Sequence, residues 1–493
     1  MAEQPVASHP WSLADIFTGT GEDYLRKPDE QKAIILRGRD NWLNRFVSQS
    51  NAATADEAIR EEVQALFARW LRMQNLCVLM GAGASYYVTK ALNANLLDSA
   101  AKLLVGRRSE MTLRRVRELA SQPDAPGKKI EQFLSQLVGF VTLFDSKELP
   151  LDKAPFPAFD LERGSGETNH AVLRELLLDL ERAVAATCNV DLPDSALATW
   201  ADDSITPHEN FLSKLMARDP KDGRAKLFTT NYDTLLEQAM DRLGILYCDG
   251  FTGTVGRKFN PAAYDLDHYY PGELGEGRVR RYHKFVQLYK LHGSINWRKT
   301  SEPKAGDPYG VRFDSRPVLR HDEVIVAGDG EARNRLDEIF SPGEGLAILP
   351  TTAKFGQTLT MPFAHLFRSF GNALQQTQTV LFVIGYGGMD EHVNQMIHDA
   401  LVNPGFTCVI VGPSPSDWAK RLCVADYCGR VYFVGGPWGY FETFAEYLLP
   451  DLEALKTDIA VARTLRELRS TGRNEGPPDQ SSKGGNQNGD ASA

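Results

Sequence analysis

Cysteine is scarce in this chain. Its 493 residues hold six, Cys77, Cys188, Cys248, Cys408, Cys423 and Cys428, too scattered for a disulfide framework. Only Cys423 and Cys428 lie close together, at a spacing that fits no common zinc pattern, and no Cys-x-x-Cys pair occurs. No run approaches the roughly 20 apolar residues of a membrane helix. The N-terminal MAEQPVASHPWSLADIF lacks the charged and apolar regions of a signal peptide. These absences point to a cytoplasmic protein without membrane contact. Positive charge is in deficit too: 55 Lys and Arg stand against 64 Asp and Glu, a formal net charge of −9. That balance opposes a broad polyanion-binding surface, so no direct nucleic-acid binding is expected. The basic stretch GRVRRYHK (Gly277–Lys284) reads as a solvated loop. There is no internal repeat.

A chain this long is expected to form two or three domains. Residues 1–74 read as an N-terminal helical segment, because DEQKAIILRGRDNWLNRFV and ADEAIREEVQALFARWLRM both carry apolar residues at three- and four-residue intervals. The period then changes. NLCVLM (Asn75–Met80) is a short apolar run ending in glycine, the pattern of a buried parallel strand. Similar runs follow at KLFTT (Lys226–Thr230), VQLYKL (Val286–Leu291), LAILP (Leu346–Pro350), TVLFVIG (Thr379–Gly385), TCVIVG (Thr407–Gly412) and RVYFVGG (Arg430–Gly436). Helical segments separate most of them, including KKIEQFLSQLVGFVTLF, HAVLRELLLDLERAVAA and DTLLEQAMDRLG, with a loop-like DKAPFPAFDLERGSGETNH between the first two. The alternation predicts an α/β fold: a Rossmann-like open parallel sheet with helices on both faces, spanning residues 75–450. A helical insertion at about 90–225 and an irregular insert at about 241–285 interrupt it. A C-terminal helix is expected at 451–470. The polar, glycine-rich tail 471–493 cannot bury a core and is expected to be disordered.

Three strand ends carry polar chemistry. GAGAS (Gly81–Ser85) opens a helix, and the amides of Gly81, Ala82, Gly83 and Ser85 can meet a pyrophosphate there; a bare strand–helix turn would look the same. The dinucleotide fingerprint is incomplete, since Tyr86 stands where its third glycine belongs and Asp98 is the nearest acidic candidate downstream, which opposes a hydride-transferring dehydrogenase. TTNYD (Thr229–Asp233) puts Thr230 and Asn231 at a strand's C-terminal end, where open α/β sheets bind ligands; Asn231 and Asp233 would equally serve a helix start. KLHGS (Lys290–Ser294) ends a third strand with His292. Convergence of the three predicts one pocket. His392 and His398 are six apart and share no helix face, and His365 reads as a core-edge residue, so no metal is predicted.

These motifs resemble the sirtuin superfamily. GAGAS is similar to its glycine-rich loop, TTNYD to its Asn-x-Asp element, and KLHGS to its catalytic His-Gly. VIGYGGMDEHVNQMI (Val383–Ile397) resembles the GYSxxDxxIN stretch of bacterial sirtuin-like proteins. Order and placement agree over roughly residues 75–440. There are departures. The four-cysteine zinc module of the deacylases is absent, the proline-and-arginine cofactor loop is replaced by YYVTKALNANLL, and 61 positions separate Asn231 from His292. The resemblance is therefore to the bacterial sirtuin-like effectors of anti-phage defence, which hydrolyse NAD+. It implies NAD+ as substrate and His292 and Asn231 as catalytic residues. Asp233 would hold the nicotinamide carboxamide. Gly385, Tyr386, Gly412 and Ser414 would surround the pyrophosphate and adenosine. Asp390 would touch a ribose hydroxyl or N-cap the following helix. It also implies a homo-oligomer and a trigger, either a HerA-like hexameric ATPase or a phage-derived activator. A protein deacylase and a catalytically silent NAD- or ADP-ribose-binding subunit are the alternatives.

Overall fold

Four of the apolar runs, NLCVLM, TVLFVI, FTCVIV and VYFVG, lie side by side at the centre of a nine-stranded sheet, seen here in a computed structural model. The residues described are 11–47, 52–89, 93–105, 113–114, 137–139, 141, 169–193, 205–219, 221–270, 280–299, 307–315, 318–327, 332–339, 345–348, 361–426 and 428–452. The chain divides into two compact units, Met1–Pro450 and Asp451–Ala493. Apart from Asp451 and Leu452, the second unit lies outside the described residues, and with it the expected C-terminal helix and tail.

The strands of the large sheet are β1 (Ile34–Arg37), β2 (Asp40–Asn41), β3 (Asn75–Met80), β4 (Lys226–Thr229), β5 (Leu246–Cys248), β6 (Phe285–Lys290), β7 (Thr379–Ile384), β8 (Phe406–Val411) and β9 (Val431–Gly435). Their spatial order is β2-β1-β9-β8-β7-β3-β4-β6-β5. From β9 to β5 all pairings are parallel; β1 joins β9 antiparallel. The labelled helices are α1 (Ala52–Leu71), α2 (Ala82–Thr89), α3 (Asn93–Lys102), α4 (Asn169–Cys188), α5 (Pro207–Met216), α6 (Leu235–Leu243), α7 (Phe363–Leu374), α8 (Glu391–Ala400) and α9 (Asp417–Ala425). The central strands are apolar throughout because both faces are covered. Phe382 of β7 stacks on Phe67 of α1, ring centroids 6.1 Å apart. Its neighbours Leu381 and Val383 point the other way, into the cluster that holds Phe370 of α7. The result is the expected Rossmann-like α/β architecture.

Register decides where the site forms. Met80 of β3 is level with Thr229 of β4 and Ile384 of β7. Thr229 is level with Lys290 of β6, Ile384 with Val411 of β8, and Val411 with Val434 of β9. Every parallel strand from β9 to β6 therefore ends on one row, and the loops that follow emerge along one edge. Within that row the chain leaves β3 to one side for β4 and later returns to its other side as β7. That is the topological switch point at which open α/β sheets form a crevice.

Several sequence expectations require correction. The stretch Asp29–Val47 was expected to be helical, yet its centre is the β1–β2 hairpin. Ile34, Ile35 and Leu36 are all fully buried, and three consecutive buried residues suit an extended strand at the sheet margin better than one face of a helix. The insert at 241–285 is not wholly irregular. It holds edge strand β5 and the short strands Phe251–Thr252 and Lys258–Phe259. LAILP does not join the parallel sheet. Its strand, Gly345–Ile348, borders a second, antiparallel five-stranded sheet in the order Gly345–Ile348, Gly293–Lys299, Val311–Phe313, Lys258–Phe259, Phe251–Thr252. Trp297, at the heart of that sheet, is buried against Phe251 with centroids 5.0 Å apart. Of the helical insertion, α3, α4 and α5 are described; DKAPFPAFDLERGSGETNH up to its last two residues, which open α4, and most of KKIEQFLSQLVGFVTLF lie outside the described residues. No helix among the described residues is long and apolar enough to cross a membrane.

Candidate active site

A cleft of about 590 Å³ opens along the row of strand ends. It is lined by the predicted Ala82, Gly83, Ser85, Thr230, Asn231, Asp233, His292, Gly385, Tyr386, Asp390, Gly412 and Ser414. Gly81, the remaining predicted residue, lies behind this wall. A Cβ on Gly81 would come within 2.7 Å of Gly385 O and of Tyr386 Cα.

The glycines here serve packing first. A Cβ on Gly83 would meet Gly385 Cα at 2.7 Å, and Gly385, at φ +61°, would drive a Cβ to 2.4 Å from Ala84 N. The turn after β3 and the turn after β7 thus interlock backbone against backbone. Three amides of this turn are already committed: Gly81 N–H donates to Ile384 O, Gly83 N–H to Gly385 O and Ala84 N–H to Gly81 O, each at 2.9 Å. The packing of the two turns by itself requires glycine at these positions. What α2 offers an anion is the positive end of its dipole more than an open nest of amides.

Asn231 follows β4. Its side-chain nitrogen donates to Gly81 O at 3.0 Å and to Ser85 Oγ at 2.9 Å, so both amide hydrogens bind the glycine turn. The acceptor Oδ1 is what remains for a ligand. Asp233 accepts the backbone N–H of Leu235 at 3.2 Å and so steadies the start of α6, where Thr234, the N-cap residue, makes no side-chain cap. Its backbone carbonyl accepts from Lys290 Nζ, which also bonds Glu237 Oε1 at 3.0 Å. Burial raises the Glu237 carboxyl above the usual range, and the Lys290 ammonium pulls it back.

His292 lies two residues past β6 and is 3% exposed. The next residue, Gly293, has φ +89°, a turn that takes the chain out of the parallel sheet and into the antiparallel one directly after the imidazole. Its ring stands among Tyr232, Phe367 and His392, with centroids 6.3, 6.4 and 6.5 Å away. Its Nε2 is 3.6 Å from Asp390 Oδ2. Asp390 occupies the N-cap position of α8 but makes no side-chain cap bond; the capping alternative is not what its carboxylate does. Tyr386 lines the cleft while its hydroxyl is engaged within its own loop. It accepts from Asp390 N–H at 3.1 Å and lies 3.1 Å from Asn394 Oδ1.

Other cleft residues escaped the sequence reading. Tyr232 and Met389 sit inside motifs already noticed, so proximity was the available signal. Leu96 of α3 and Thr187 and Cys188 of α4 come from the helical insertion, and nothing local in their sequence marks them. Burial, with the nearby Asp233 carboxylate, pushes the Cys188 thiol up to about 12, so it stays protonated. Among the described residues, no three His, Cys, Asp or Glu side chains gather as a metal site would require.

Residues 225–428 match the family model for a SIR2-like domain, which supports a sirtuin-like family for that span. The match runs from β4 to just beyond α9 and takes in Asn231, Asp233, His292 and the Tyr386–Asp390 loop. Gly81–Ser85 lies N-terminal to it. A search among curated proteins found no match.

Proposed function

We propose that this protein is an NAD+ glycohydrolase, cleaving NAD+ to nicotinamide and ADP-ribose. The observation that carries this reading is the presence of Asn231 and His292 on neighbouring strand ends in one cleft at the switch point, inside a span that matches a SIR2-like domain. SIR2-like domains bind NAD+, and a cleft of this volume falls within the roughly 300–1,000 Å³ of small-molecule sites. The dinucleotide would lie along the row, with nicotinamide near Asn231, Asp233 and His292 and adenosine towards Gly412 and Ser414.

The chemistry asks little of an acid. When the N-glycosidic bond breaks, the electron pair returns to the pyridine nitrogen and nicotinamide departs neutral. A glycosidase, by contrast, must protonate its leaving oxygen. What remains is to hold the ribose, stabilise an oxocarbenium-like carbon and take a proton from the attacking water. His292 is the general base, directly or through a ribose hydroxyl, and such a base contributes on the order of 10²–10⁴-fold. Asn231 presents Oδ1 to the ribose and water, and Asp233 receives the nicotinamide carboxamide. Leu96, Thr187 and Cys188, which the insertion adds to the cleft wall, favour a small-molecule substrate over an acyl-lysine peptide.

Constitutive loss of NAD+ would be lethal, so the activity is a triggered one. By its resemblance the protein is an NAD-depleting effector of bacterial anti-phage defence, acting as a homo-oligomer with a HerA-like ATPase or a phage-derived activator. The test is NAD+ consumption by wild type, His292→Ala and Asn231→Ala, with nicotinamide release followed by chromatography. Turnover in the wild type that falls at least about 10²-fold in both variants is expected. Turnover that survives loss of His292 would sink the mechanism, and ADP-ribose binding without turnover, even with the activators supplied, would mark a silent binding subunit.

A further inference from the structure

We infer that Asp390 is a positioning residue that orients the His292 imidazole and fixes its proton, and that it is not a ligand for a ribose hydroxyl. The catalytic consequence rests on the hydrolase reading of the cleft; the pairing itself does not. Asp390 and His292 are both buried, 5% and 3% exposed, and 3.6 Å separates Oδ2 from Nε2. A carboxylate at the N-cap position of a ten-residue helix would ordinarily cap it, and this one does not. The backbone around it leaves little freedom. Asp390 N–H donates to Tyr386 Oη at 3.1 Å, Asp390 O accepts from Asn394 N–H at 2.9 Å, and Asn394 Nδ2 donates to Gly388 O at 2.8 Å. The loop is tied at both ends, and its carboxylate is aimed at the ring.

A buried carboxylate beside an imidazole favours the imidazolium and, in the neutral ring, favours the tautomer with its proton on the facing nitrogen. The rings packed around it are His392 of α8, Tyr232 from the loop after β4 and Phe367 of α7, and Asp233 lines the same cleft. Asp390 brings the carboxylate that stands 3.6 Å from the ring. The water that attacks the ribose would give its proton to the imidazole, and the imidazolium so formed would be stabilised by the Asp390 carboxylate.

The experiment compares Asp390→Asn with wild type and with Asp390→Glu, after thermal melts establish that each folds. Expected for Asp390→Asn is a kcat lower by on the order of 10²-fold with KM changed only a few-fold. The acid limb of its kcat/KM profile should move to lower pH, because an imidazole without its carboxylate loses its proton more easily. ADP-ribose, measured by calorimetry, should bind within a few-fold of wild type, and Asp390→Glu should recover part of the loss. In parallel, isotope-labelled histidine is titrated by NMR, with the His292 signal identified by its disappearance in His292→Gln. That signal should titrate at lower pH in Asp390→Asn, whether or not the enzyme turns over. An unmoved acid limb and an unmoved His292 titration would overturn the inference, as would an ADP-ribose affinity about tenfold weaker with titration unchanged, which would make Asp390 a ribose ligand. Absence of NAD+ turnover in every form would remove the hydrolase reading while the NMR titration still decided the pair.

Discussion

Single residues carry two duties along this cleft. Asn231 gives both amide hydrogens to Gly81 O and Ser85 Oγ, so the residue expected to orient substrate also fastens the turn beneath it. Its loss would therefore loosen the cleft floor as well as remove an acceptor. Gly385 is the sharper case. Its φ of +61° is one that L side chains rarely adopt, and the space a methyl group would fill is taken by the backbone of Gly83 and Ala84. Gly385→Ala is predicted to lose at least about 2 kcal/mol of stability, from the strained φ and the overlap together. A urea midpoint equal to that of wild type would show that the two turns can part without cost. Tyr386 and Asp390 show how a motif can be located correctly while its roles remain hidden: the hydroxyl binds its own loop, and the carboxylate faces His292.

Between elements, the decisive contact is the buried pair that joins β6 to α6. Lys290 is 2% exposed, and its ammonium reaches both Asp233 O and Glu237. Burial holds the Glu237 carboxyl above its ordinary range in the folded state. A carboxyl raised on folding adds stability below its unfolded pKa and subtracts from it as pH rises towards the folded value. Lys290 limits that loss. Lys290→Met should therefore destabilise by about 3–5 kcal/mol at slightly alkaline pH, with the deficit shrinking as acid protonates Glu237. Equal deficits at pH 5 and pH 8 would argue that the pair contributes packing alone. The edge of the sheet belongs to this scale as well. β5 has only three residues, none fully buried, and its membership depends on Phe285–Gln287 of β6 lying beside it. No periodicity can mark so short a segment.

At the scale of the whole molecule, acid should act through a histidine buried behind Ser85, Asn231 and Asp233. His208 of α5 is 1% exposed, with Nδ1 2.6 Å from the Tyr87 hydroxyl, and burial depresses its pKa to about 3. Once unfolded, the ring takes a proton near 6.5, so from that pH downward folding must hold it neutral. Each pH unit between about 6.5 and 3 should remove up to about 1.4 kcal/mol of stability through this residue. Stability measured by urea unfolding from pH 7 to pH 4 should fall, and His208→Phe should flatten the fall. A variant with the wild-type slope would assign the acid sensitivity elsewhere. The helical insertion matters at this scale too. Leu96, Thr187 and Cys188 line the cleft only because α3 and α4 fold back over strand ends distant in sequence.

By itself the sequence determined the apolar runs that become the central strands, the glycine, asparagine and histidine that follow three of them, and hence a Rossmann-like sheet with polar residues at its C-terminal ends. Such features are local: a strand buried on both faces must be apolar along its length, and a sharp turn must contain glycine. Only the tertiary structure decided the rest. It set the strand order and the register that level Met80, Thr229, Lys290, Ile384, Val411 and Val434. It sent Gly345–Ile348 to the antiparallel sheet and Ile34–Arg37 to the edge of the parallel one. It also brought Asp390 against His292 across 98 positions of chain. These depend on which surfaces meet, and an apolar tetrapeptide or a carboxylate carries no record of its partner until the chain has closed around it.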